Sequence, residues 1–95
     1  MLSFLISYTI YLQDIKLSIF DKLVQKVFSN SAISYNDAEK LLLNLNFGLK
    51  IRGSHHVFRK KDYPSNITLK KRKELHNYQV NELKQVLIDH GYKKE

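Results

Sequence analysis

Two adjacent histidines stand in the middle of this 95-residue chain, inside the element Gly53-Ser54-His55-His56-Val57-Phe58. Histidine is the side chain that ordinarily exchanges protons near neutral pH, so it can serve as a general base or acid. A basic surface attracts a polyanion. Because Lys and Arg residues flank the histidine pair, the pattern predicts proton-transfer chemistry on a nucleic acid backbone.

The positive charge of the chain is concentrated around this element. Residues 50–73 hold nine Lys and Arg residues against Asp62 alone, a net charge of +8. Residues 1–49 are neutral and residues 74–95 carry a net charge of −1, so the whole surplus of +7 lies in this one segment. We call residues 50–73 the basic segment. Its candidates for holding phosphate are Lys50, Arg52, Arg59, Lys60, Lys61, Lys70, Lys71, Arg72 and Lys73.

Length and composition exclude several classes of site. A chain of this length forms one domain, whose modest core leaves no room for a deep enclosed pocket. Catalysis would therefore take place on a surface or in a shallow groove, which suits a long polymer better than a small metabolite. The chain has no cysteine, so disulfides, thiolate metal sites and cysteine nucleophiles are excluded. We expect a cytoplasmic protein without a cofactor.

The first residues are apolar but short for a membrane role. Residues 1–12 fall below the roughly 20 apolar residues that a transmembrane helix needs. The first positive charge is Lys16, so the basic start of a signal peptide is also missing. We expect residues 1–20 to form an N-terminal extension, as an extra strand or helix or as a mobile arm, and residues 21–95 to form the domain.

Hydrophobic periodicity predicts an α+β fold in which helices cover one face of a small antiparallel sheet. A second helix should begin at an N-cap Ser34 with Asp37 as its capping-box partner. Gly91 should end the last helix. The predicted elements are helices over 14–28, from Ser34 onward and from Tyr78 onward, and strands over Gly48–Arg52, 55–60 and Ile67–Leu69.

Strand parity separates the two histidines. Neighbouring residues of a strand point to opposite faces, and Phe58 should face the core. His56 shares the parity of Phe58, so it should lie on the buried side or at its edge. His55 shares the parity of Val57 and Arg59 and should lie on the open face, which makes it the favoured general base. The alternative is that both histidines are structural.

Four runs resemble the HicA family, the small toxins of bacterial toxin–antitoxin pairs. They are LLLNLNF at 41–47, GSHHVFR at 53–59, ITL at 67–69 and YQV at 78–80. The resemblance covers roughly residues 21–92, with His76-Asn77 in place of the Lys-Pro-like pair of many relatives. It implies a fold like that of double-stranded-RNA-binding domains, metal-independent endoribonuclease activity on mRNA, and a HicB-type antitoxin partner. The family's catalytic histidine carries over to His55; His56 and Ser54 are possible secondary residues.

Two other functions stay open from the residues alone. The first is a non-catalytic RNA-binding module with the same basic face. The second is a DNA-binding or adaptor protein whose main role is pairing with another chain. A metal site is not expected, because His76 and His90 lack ligand spacing to the histidine pair. Tyr78 and Tyr92 are expected to pack at helix edges rather than to stack on bases.

Overall fold

In the computed structural model, which describes residues 19–94, three helices cover one face of a three-stranded antiparallel sheet. The elements are α1 over 19–28, α2 over Tyr35–Asn44, β1 over Gly48–Arg52, β2 over His55–Arg59, β3 over Ile67–Leu69 and α3 over Asn77–Asp89. The predicted α+β class is therefore confirmed. The predictions for residues 1–18, including the N-terminal extension and the start of the first helix, lie outside the described residues.

Helix α2 begins and ends with local hydrogen bonds that its sequence supplies. The Ser34 hydroxyl accepts from the Asp37 backbone N–H at 3.1 Å, and the Asp37 carboxylate accepts from the Ser34 N–H at 3.3 Å. These two bonds confirm the predicted capping box. At the other end Asn46 adopts a left-handed φ of 71°, and the Phe47 N–H reaches the Leu42 carbonyl. This Schellman arrangement turns the chain toward β1.

Helix α3 starts one residue before the predicted position and stops as predicted. The Gln79 side chain accepts a hydrogen bond from the His76 backbone N–H at 2.9 Å, which satisfies one of the free donors at the helix start. Gly91 takes a φ of 91°, and the Tyr92 N–H bonds to the Leu87 carbonyl. A positive φ strains other residues, so glycine suits this stop.

Strand β2 is the centre of the sheet, with β1 and β3 on its two sides. The turn between β1 and β2 holds Gly53 at a φ of 59°, as a two-residue hairpin turn with glycine first requires. Strand β2 ends at Arg59, one residue earlier than predicted. The third strand, β3, has the predicted bounds. Its residues alternate between apolar and polar types, and the apolar ones are the buried ones, so the sequence pattern marks the strand.

The core lies between the helices and one face of the sheet. Phe58 of β2 and Leu69 of β3 have no exposed surface and belong to one buried cluster with residues of the helices. Removing a buried aromatic side chain such as Phe58 costs about 3–5 kcal/mol, so this residue holds the inward face of β2 firmly in place. The side chains at the alternate positions of β2 therefore point to solvent.

Candidate nucleic-acid interface

The hairpin of β1 and β2 places Arg52 directly opposite His55. These two residues form the last pair of the ladder, next to the turn. Directly opposed residues of an antiparallel pair have Cβ atoms about 4.5–5.5 Å apart and share a face. Both residues are exposed. An imidazole and a guanidinium are therefore neighbours on the open face of the sheet.

Lys70 extends this pair into a row across the sheet. The paired register of β2 and β3 ends at His56 and Leu69, and Lys70 is the next residue after Leu69, on the β3 side of His55. Lys70 is exposed and has the parity of Thr68 on the open face. Arg52 at the end of β1 thus lies opposite the histidine of the central strand, and Lys70 follows the end of the strand on its other side. We call Arg52, His55 and Lys70 the basic row.

The open face carries two further cations beyond the basic row. Lys50 lies opposite Val57, and Thr68 lies opposite Val57 on the other side. Arg59 lies opposite Gly48, whose missing side chain leaves the guanidinium uncovered on that side. The open face is thus shallow and carries cations both along the strands and across them. An extended polyanion can lie along such a surface.

His56 lies on the helical side, as its parity predicts. Its Nδ1 atom is 2.6 Å from the Tyr35 hydroxyl, and the two rings meet edge to face with centroids 4.8 Å apart. Burial raises the pKa of the Tyr35 hydroxyl, and the nearby Glu39 carboxylate raises it further. Tyr35 is 1% exposed. His56 is therefore a packed residue that connects β2 to α2, whereas His55 is exposed.

The His55 ring has no hydrogen-bond partner among residues 19–94. Catalytic bases are often oriented by a second side chain, and no such side chain serves His55 in the described part of the chain. The chemistry that its surroundings offer is electrostatic: the two cations of the basic row can stabilise a negative charge beside the imidazole. Ser54 lies in the exposed turn before His55.

Lys60 is among the residues predicted to contact phosphate. In the structure its side chain lies on the helical side of the sheet, away from the open face. Its Nζ donates to His90 Nε2 at 3.0 Å and lies 5.8 Å from the centre of the Phe47 ring. The His90 Nδ1–H donates in turn to the Val86 carbonyl at 2.7 Å, which leaves Nε2 as the acceptor. Lys60 therefore joins the end of β2 to the C-terminal end of α3 and is not part of the basic row.

The remaining predicted cations lie in exposed loops. Lys61 follows β2, while Lys71, Arg72 and Lys73 lie between β3 and α3. This second loop is held in place, because the Arg72 carbonyl accepts from the Tyr35 N–H at 3.1 Å. Its cations are thus fixed near the end of the sheet that carries the basic row.

The basic segment has no ion pair of its own in the described structure. The one ion pair found over residues 19–94 joins Lys26 to Asp37, at 3.0 Å, between α1 and α2. Burial of the Asp37 carboxyl opposes its ionisation, but hydrogen bonds from Lys26 and from the Ser34 backbone outweigh it and lower the pKa of Asp37. Apart from Lys60, which is held by His90, the cations of the basic segment are therefore not neutralised by a carboxylate among residues 19–94.

Tyr78 does not pack at a helix edge, so the prediction for this residue is wrong. Its side chain is 62% exposed, and its ring stacks on the exposed ring of His76. Tyr92 does pack as predicted, against Phe20 of α1 with ring centroids 5.7 Å apart. Helical spacing is the signal that could have shown the exposure of Tyr78, because the residues three, four and seven positions after it are the polar Asn81, Glu82 and Gln85.

No group of three or more His, Asp or Glu side chains arranged to hold a metal ion occurs over residues 19–94. Within the same residues, no helix has the length and apolar character needed to cross a bilayer. Comparison with known proteins finds no matching family model, no similar curated protein and no similar solved structure.

Proposed function

We propose that the protein is a metal-independent endoribonuclease that cleaves mRNA on the open face of its sheet, with His55 as general base. The observation that carries this proposal is the basic row, in which Arg52 is paired with the exposed His55 and Lys70 directly follows the neighbouring strand. Proton transfer and charge stabilisation are the two things that cleavage of an RNA backbone requires. The row places side chains for both on one accessible surface.

The proposed reaction uses the ribose next to the scissile bond. His55 takes the proton of the 2′-hydroxyl, and the 2′-oxygen attacks the adjacent phosphorus. The bond from phosphorus to the 5′-oxygen breaks, and a proton from the imidazolium or from water goes to that oxygen. The products are a 2′,3′-cyclic phosphate and a 5′-hydroxyl. Arg52 and Lys70 offset the negative charge that builds on the phosphate oxygens.

The fold supports the same class of protein. The order of α2, three antiparallel strands and α3 agrees with an arrangement like that of double-stranded-RNA-binding domains, with α1 as an additional helix. The GSHHVFR run that resembles the HicA family forms the hairpin turn and the whole of β2. We therefore propose that the protein is the toxin of a type II toxin–antitoxin pair.

A partner of the proposed toxin would be an acidic antitoxin of the HicB type. The basic segment has a net charge of +8 and no internal ion pair over the described residues, so an acidic protein would be attracted to it strongly. Covering the basic row would block the RNA directly. Such inhibition is competitive with RNA and weakens as salt is added.

A second candidate function is RNA binding without cleavage. The observation that favours it is the lack of an orienting hydrogen bond to His55 within residues 19–94. In that case the same surface would hold RNA, and His55 would contribute only a contact. The domain fold and the basic face are the same in both cases, so only an assay of cleavage separates them.

The experiment is incubation of the purified protein with a defined single-stranded RNA in EDTA, followed by analysis of the ends of the products. We expect fragments with 2′,3′-cyclic phosphate and 5′-hydroxyl ends. Bound but intact RNA would support the second candidate instead. Cleavage that EDTA abolishes and Mg²⁺ restores would contradict the proposed mechanism.

A further inference from the structure

Two aromatic rings lie stacked on the surface where α3 begins. The ring centroids of His76 and Tyr78 are 5.6 Å apart, and their planes differ by 12°. Both residues are exposed, whereas Tyr35, Tyr63 and Tyr92 are buried or half-buried. The Tyr78 ring therefore contributes little to the core, and its accessible surface can receive a further ring.

The His76 ring is held in its orientation by Arg72. The Arg72 Nη1–H donates to His76 Nε2, since a guanidinium has no acceptor atom. The backbone of His76 is fixed as well, because its N–H donates to the buried Gln79 side chain. The two rings are thus a preorganised pair, which keeps the entropic cost of binding to them low.

Three cations and one carboxylate, Glu74, lie in the loop before this ring pair. Lys71, Arg72 and Lys73 are exposed in the loop that leads to it, and the Arg72 carbonyl accepts from the Tyr35 N–H. A ring surface next to several cations is the combination that single-stranded nucleic acid requires, because its bases stack while its phosphates contact Lys and Arg. The same cations would disfavour the docking of an apolar protein surface at this place.

We infer that His76 and Tyr78 form a stacking site for an unpaired base of single-stranded RNA, with Arg72 and Lys73 holding the neighbouring phosphates. This inference rests on the proposed function and names the form of RNA that its site accepts. Bases of a duplex are covered by their neighbours in the stack and present only edges, so they cannot lie on Tyr78. Bound RNA would run from the basic row along residues 70–73 to the ring pair.

A tryptophan substitution gives a direct readout, since the chain contains no tryptophan. Tyr78→Trp introduces a single indole fluorophore at the proposed site, and a base stacked on it would quench its emission. Ile88→Trp is the matched control, because Ile88 lies on the same helix and is 52% exposed. The probe is a short oligouridylate. We expect saturable quenching for Tyr78→Trp and an unchanged signal for Ile88→Trp.

Loss of the ring should weaken the binding of single strands selectively. Stacking on an aromatic side chain has a typical magnitude that corresponds to roughly a 5- to 150-fold loss of affinity on substitution by alanine. We expect Tyr78→Ala to weaken oligouridylate binding within this range and Ile88→Ala to leave it unchanged. Binding of a blunt RNA duplex should be equal for the two variants. Circular dichroism of each variant checks that the fold is retained.

The outcomes distinguish this inference from the proposed function. If the unsubstituted protein binds RNA but Tyr78→Ala binds oligouridylate equally well and Tyr78→Trp shows no quenching, the stacking site is wrong, while RNA binding stands. If the unsubstituted protein binds neither oligouridylate nor duplex, the proposed function fails, and the stacking site fails with it.

Discussion

The hydroxyl of Tyr35 lies 2.6 Å from Nδ1 of His56, which ties the start of α2 to the central strand of the sheet. This bond gives the two adjacent histidines different roles. His56 is fixed on the helical side, and the strand parity then directs His55 to the open face opposite Arg52. The exposure of His55 is therefore a consequence of packing on the other side of the same strand.

Replacing Tyr35 by phenylalanine should reduce stability without removing the chemistry. Tyr35→Phe keeps the buried ring and deletes the hydroxyl, so His56 Nδ1 loses its partner. We expect the free energy of unfolding to fall by about 1 kcal/mol, measured by urea denaturation. RNA cleavage by the folded variant should remain close to that of the wild type.

A double-mutant cycle tests whether the two side chains act together. If the hydrogen bond stabilises the fold, the effects of Tyr35→Phe and His56→Ala are not additive, and Tyr35→Phe has little further effect in the His56→Ala background. Additive losses would show that the two residues stabilise the protein independently. That result would contradict the proposed link between α2 and β2.

Features set by residues close together in the chain could be predicted from the sequence. The Ser34 and Asp37 capping box, the stop at Gly91 and the strand Ile67–Leu69 all depend on a few neighbouring residues. The opposite exposure of His55 and His56 follows from the period of a strand and from the core position of Phe58. The general outline of the candidate site was therefore accessible from the pattern.

Contacts between distant residues could not be predicted in the same way. Lys60 belongs to the basic segment, but its ammonium is held by His90, 30 residues further along the chain. The partner of His56 is Tyr35, 21 residues earlier. In each case the position depends on which elements meet, and periodicity carries no information on that.

Charge reversal in the loop before α3 should weaken RNA binding for all sequences alike. The double variant Lys71→Glu with Arg72→Glu changes the net charge by four, as does the matched control Lys22→Glu with Lys40→Glu. Lys22 and Lys40 are exposed on α1 and α2, outside the basic segment. We expect a large loss of affinity for the first variant and a small one for the control, measured by fluorescence anisotropy.

The salt dependence of the same measurement reports the number of phosphate contacts. For single strands, the logarithm of the binding constant falls with the logarithm of the salt concentration by about 0.7 for each contact. The slope should become shallower by about this amount for each contact that the loop variant loses. A slope equal to that of the wild type would show that Lys71 and Arg72 do not contact phosphate.

The bond between Tyr63 and Asp89 should give a stability contribution that depends on pH. The Tyr63 hydroxyl donates to the Asp89 carboxylate at 2.6 Å. Burial first, and then this bond, raises the pKa of Tyr63 to about 12, while the bond lowers the pKa of Asp89. The contribution of Asp89 is present above its unfolded pKa and is lost as the pH falls through the folded value. That of Tyr63 is present below about pH 10 and is lost as the pH rises toward 12.

Urea denaturation of the wild type and of Tyr63→Phe at several pH values measures this contribution. The stability difference should be greatest between about pH 4 and pH 10 and should shrink on both sides of this window. A difference that stays constant from about pH 3 to pH 11 would show that the bond does not couple the two ionisations.

The central claim is that His55 takes a proton during RNA cleavage, and the rate of cleavage by His55→Ala in EDTA tests it most directly. The matched control is His56→Ala, which removes the neighbouring imidazole from the helical side of the same strand. With both variants shown to be folded by circular dichroism, we expect His55→Ala to lose roughly 10²- to 10⁴-fold in rate and to bind RNA almost as well as the wild type. We expect the His56→Ala protein to retain most of its rate. A folded His55→Ala protein that cleaves RNA at the wild-type rate would contradict the account.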